Sequence, residues 1–240
     1  MDYAERIKQC ISLNELFEVW KDKQPNGIIN HAEDYFIADG IVDSSIWNDI
    51  EHKRILFILK EAYGTDWGEA TLATWIKNSH PKHRMWKRVA RLVYGIQNTT
   101  ETYMSKYRPQ LSDKDHADAL DQIAVVNLKK SNGKSTSNYD EIAEYARYDK
   151  EEIKKELELI DADVIVCGST FKTLYEIVYE KQPLPDSEKN DNWFYYMDLD
   201  GKRRLYIDFY HPANQWPDLM NYYSLVSIYQ QALISGGFIR

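Results

Sequence analysis

Residues 55–68 read ILFILKEAYGTDWG, an apolar run that breaks into a carboxylate, an aromatic residue and two glycines. Five apolar residues, Ile55 to Leu59, suffice for a buried strand and are too few for a helix. A strand covered on both faces reads as an unbroken apolar run rather than an alternating one. The stretch therefore predicts a central, parallel-type strand. In open α/β sheets ligands bind in the crevice outside the carboxyl ends of the strands, so Glu61 stands where chemistry is expected.

Three further strands follow from the same logic. Ile123 to Val126 ends in Asn127 and leads to a polar loop, Ser131 to Asn138. Ala162 to Gly168 is fed by a charged amphipathic helix, Asp149 to Ile160, and is followed by Ser169 or Thr170 as the cap of a helix reaching Tyr179. Trp193 to Asp198 and Arg203 to Phe209 flank Asp200-Gly201, a strong hairpin signal, and the second arm is expected to enter the sheet as its last strand. A helix from Asp218 to Leu233 closes the chain. At the other end, Ser12-Leu-Asn-Glu15 has the form of a capping box before a helix that Pro25-Asn-Gly27 ends, and Asp39-Gly40 reads as a turn. Strands separated by helices predict a three-layer α/β/α domain with a central, mainly parallel four-stranded sheet. Its core spans residues 52–240, and residues 1–51 are an acidic elaboration.

At 240 residues the chain supports one large core without disulfide or metal staples. Two cysteines, Cys10 and Cys167, exclude a cysteine-only zinc or iron–sulfur site within one chain. No long apolar run or signal-like amino terminus is present, so a cytoplasmic protein with no membrane partner is expected. The net charge of −8 is unevenly spread: residues 1–51 hold eleven acids and four bases, a net −7. By contrast Lys77 to Arg91 contains six Lys or Arg and no acid. Trp86, Val89, Ala90, Val93 and Ile96 fall at helical spacing there, which puts those cations on a rigid helix. Such a run is commonly a solvated face; bordering the crevice, Lys87, Arg88 and Arg91 would bind phosphate.

Glu61, Asn127 and His211 each end a different strand. In order and spacing, KEAYG (residues 60–64), VVNLKKS (125–131), DADVIVCGSTFKTL (161–174) and HPAN (211–214) resemble the motifs of the uracil-DNA glycosylase superfamily, over about residues 52–235. The closest branches have a G-E-A-P-G first motif. Here Lys60 stands for its glycine, Tyr63 for its proline, and Ala213 for the serine of H-P-S. The resemblance implies a monofunctional glycosylase of base-excision DNA repair, a hydrolase acting on uracil or another deaminated base in DNA, with no cofactor. It assigns Glu61 to water and the sugar cation, Asn127 to the base, and His211 to the leaving-group charge. Tyr63, Trp67 or Trp75 would stack on the base. The main alternative is a noncatalytic member of the same fold binding nucleic acid or protein, favoured by Lys60 and Tyr63; a metal-dependent hydrolase using His80, His83 and acids is the weakest, since His80-x-x-His83 flanks a proline and no third ligand is signalled nearby. A dinucleotide-cofactor enzyme is disfavoured, since no strand is followed by G-x-G-x-x-G.

Overall fold

The computed structural model describes residues 2–32, 35–63, 71–184, 192–199 and 201–236. In chain order the elements are α1 (Tyr3–Gln9), α2 (Leu13–Lys21), β1 (Gly40–Ile41), α3 (Ser44–Trp47), β2 (Ile55–Tyr63), α4 (Leu72–Ser79), α5 (Arg84–Gln97), α6 (Asp113–Asp121) and β3 (Ile123–Gly133). There follow α7 (Tyr139–Tyr148), α8 (Lys150–Ile160), β4 (Val164–Gly168), a π-helical segment (Thr173–Val178), β5 (Phe194–Leu199), β6 (Lys202–Phe209) and α9 (Asp218–Ile234).

The strands form one open sheet in the order β1-β3-β2-β4-β6-β5. Its centre, β3-β2-β4-β6, is parallel throughout. The four expected strands are all present, but the sheet has six. Both hairpin arms enter it, β5 lying antiparallel to β6, and Gly40–Ile41 adds a two-residue antiparallel edge beside β3. Asp39-Gly40 is thus an approach to an edge strand rather than a turn.

Along β2, Ile55, Phe57 and Leu59 pack with residues of α4, α5, α6 and α9, whereas Leu56 and Ile58 pack with residues of α1, α2, α7 and α8. The same alternation runs through β3, β4 and β6, as in Val164 and Val166 against Ile165 and Cys167. Helices therefore cover both faces, which is why the central strands are continuously apolar. The helix expected after β4 is π-helical in its last turns, with Tyr179 N–H donating to the Leu174 carbonyl five residues back. Neither Ser169 nor Thr170 caps it through its side chain: the Thr170 hydroxyl donates to the Ile58 carbonyl, and Ser169 takes a left-handed φ of 59°. Among the described residues, no helix is long and apolar enough to cross a membrane.

Candidate active site

β2 and β3 do not stop where their apolar runs stop. β2 continues through Glu61 to Tyr63 and β3 through Lys129 to Gly133, and their pairing slips between Glu61↔Lys129 and Tyr63↔Gly133. Such irregularities re-aim side chains at the rim of a sheet. Close approach is enforced here by Gly133, where an added Cβ would lie 2.5 Å from Glu61 Cγ and 2.8 Å from the Ala62 carbonyl. A second close approach closes the far side. A Cβ on Gly168, the last residue of β4, would fall 2.9 Å from Leu59 and 3.2 Å from Pro212.

These strand ends surround a cleft of about 720 Å³, a size ordinary for a small-molecule site. Glu61, Tyr63, Asn127 and His211 all line it, with Lys60, Lys134, Tyr139, Ser169 and Tyr210. Its apolar wall comes from Leu72, Trp75, Met85 and Trp86. Trp67 lies outside the described residues. Tyr63 is 71% exposed at the mouth, so its ring is open to a ligand.

Each polar group has a defined setting. The Glu61 carboxylate accepts from Lys129 Nζ at 3.1 Å and faces the Lys134 N–H at 3.4 Å. It is held by a cation that also pairs with Glu141. Asn127 is buried, its Nδ2 donating to Asp39 Oδ2 at 3.3 Å while its Oδ1 has no partner among the described residues. A buried acceptor left unpaired is costly, and on the cleft wall a water or a ligand can supply the donor. His211 Nδ1 accepts the Ala213 N–H at 3.1 Å, so a neutral ring carries its proton on Nε2. Burial, with the Lys60 ammonium second, lowers the imidazole pKa from 6.5 to about 4. His211 is therefore a neutral hydrogen-bond donor over the working pH range. Its backbone is pinned as well, the His211 N–H donating to the Ser169 hydroxyl at 3.0 Å.

No family model matches the sequence, and no curated protein matches it.

The expected phosphate site is not assembled. Arg88 is 1% exposed, and all five of its N–H donors are used, by Asp218 Oδ1 and the carbonyls of Pro212, Asn214 and Trp216. Arg91 donates to Asp218 Oδ2 and the Pro109 carbonyl. Lys87 is exposed but borders a separate hollow with Lys82 and Asp113. The basic helix thus faces the cleft with Met85 and Trp86, while Arg88 clamps the loop that carries His211. His80 pairs with Asp121 at 2.9 Å, and no group of three or more metal-ligating side chains is gathered among the described residues.

Two groups that hold the lining residues, Lys129 against Glu61 and Asp39 against Asn127, are not among the sequence candidates. Lys129 follows Asn127 by two and so shares its face, a spacing that could have marked it. Asp39 comes from residues 1–51, the acidic elaboration, in which no site residue is expected.

Proposed function

We propose that this chain is a uracil-DNA glycosylase-like hydrolase that releases uracil or another deaminated base from DNA. The four central strands, in the order β3-β2-β4-β6, are compatible with that fold. The observation that carries the reading is the gathering of Glu61, Asn127 and His211, from three separate strand ends, around one cleft.

A glycosidic bond is inaccessible within a stacked duplex, so the nucleotide enters flipped out. Asn127 Oδ1 accepts the N3–H of uracil and its free Nδ2 proton donates to O4. As the bond breaks, its electron pair leaves with the base and charge gathers on O2. The His211 Nε2–H stabilises that charge without transferring a proton. Glu61, paired with Lys129, balances the cationic sugar and orients the water that adds to it. Tyr63 stacks on the base or its neighbour. Lys60 forms no covalent adduct, because its Nζ is engaged by the Tyr139 hydroxyl at 2.8 Å and by the ring, 4.2 Å away.

The test is release of free base from single- and double-stranded oligonucleotides containing uracil, hypoxanthine or xanthine. Uracil should appear free and leave an intact abasic strand. Borohydride trapping of a protein–DNA adduct would overturn the assignment of Lys60. One feature favours a noncatalytic binding role for the same cleft, namely the hold of Lys129 on Glu61. Binding of uracil-containing strands with no release of any base would select that role.

A further inference from the structure

Beneath Asn127 lies a buried charge cluster that stability alone does not explain. Asp39 Oδ2 accepts both the Asn127 backbone N–H, at 2.7 Å, and its Nδ2, at 3.3 Å. Asp39 Oδ1 accepts from Lys130 Nζ at 2.5 Å, and Lys130 donates onward to Glu156 at 2.9 Å. The side chains of Asp39, Lys130 and Glu156 are wholly inaccessible. Burial raises the Glu156 pKa well above the carboxylate range, and the charge of Asp39 adds to the rise against the pull of Lys130. One ammonium thus serves mainly one carboxylate. Buried ion clusters are commonly no more stabilising than apolar residues of similar volume, so orientation is the property left for this one to serve.

An amide has two orientations that differ only in which end donates. Rotating Asn127 by half a turn would set its Oδ1 against the Asp39 carboxylate, two acceptors with no proton between them. We propose that Asp39, anchored by Lys130, is a positioning residue that locks the Asn127 amide with Nδ2 toward the protein and Oδ1 toward the cleft. The lock dictates that the base supply a donor at N3 and an acceptor at position 4, as uracil does. Cytosine presents the reverse pattern and meets an amide that cannot turn to suit it. This inference rests on the glycosylase reading for its substrate, but the lock itself does not.

The experiment is Asp39→Ala, which removes the acceptor facing Asn127 Nδ2. In ¹H–¹⁵N spectra the Asn127 side-chain signals, identified by their loss in Asn127→Ala, should move upfield and exchange faster with solvent in Asp39→Ala. Unchanged signals would overturn the lock. In base release, Asp39→Ala should lower the preference for uracil over cytosine about tenfold or more, through reduced discrimination rather than an equal loss on both. An unchanged ratio with a uniformly lower rate would make Asp39 merely structural and overturn the selectivity role. Absence of any release by the wild-type chain would remove that role together with the glycosylase reading, while the amide signals would still decide the lock. Should Asp39→Ala fail to fold, Asp39→Ala combined with Lys130→Met tests the same point, since it leaves no unpaired ammonium in the core.

Discussion

At the scale of single residues, His211 is the group whose state the fold controls most. Its folded pKa of about 4 lies below the ordinary 6.5, through burial first and Lys60 second. The unfolded chain takes up a proton as pH falls through 6.5, and the folded chain does not until about 4. The contribution to stability is therefore present above pH 6.5 and is lost as pH drops toward 4, by about 3 kcal/mol in all. Imidazole resonances of His211 should show no titration between pH 5.5 and 8, and the His211→Asn variant should lose less stability over that acid range. An inflection near 6.5 would contradict the neutral donor. Lys60→Met should move the titration upward. Gly133 is the other sensitive residue. Gly133→Ala should lower base release more than it lowers thermal stability, because the space a Cβ needs is held by Glu61 Cγ and the Ala62 carbonyl.

Among the elements, α5 shows how a charge run can be read correctly as a helix and wrongly as a surface. Its apolar stripe is legible because the stripe recurs at helical spacing, and the four parallel strands are legible because both of their faces are covered. The destination of Arg88 is not legible, since its partner Asp218 lies 130 positions further on. The same holds for Asp39, whose ion pair with Lys130 spans 91 positions across a two-residue edge strand too short to show a period. Glu61, Asn127 and His211 could be found because each follows an apolar run; the groups that orient them come from contacts distant in sequence. Arg88→Ala should cost about 2 kcal/mol or more in denaturant unfolding, since Asp218 Oδ1 and the carbonyls of Pro212 and Asn214 would lose their donor while Asp218 keeps Arg91. A loss below about 1 kcal/mol would mean that the clamp on the His211 loop is unimportant.

For the whole molecule, a net charge of −8 must be reconciled with the proposed polyanionic partner. The basic run of residues 77–91 does not settle it, because Lys77 pairs with Asp43, Lys82 with Asp113, and Arg88 and Arg91 with Asp218. The cations that border the cleft are Lys60 and Lys134. Single-strand binding should accordingly lose about 0.7 units of salt slope for each of Lys60→Ala and Lys134→Ala, and none for Lys87→Ala. A loss with Lys87→Ala alone would shift the DNA path onto α5. Whether one set of strand ends performs the proposed chemistry is decided by single-turnover uracil release in His211→Ala beside oligonucleotide binding by the same variant. A donor acting on charge that develops only in the transition state predicts release slowed about 100-fold or more, with binding changed little. Release at the wild-type rate would contradict it.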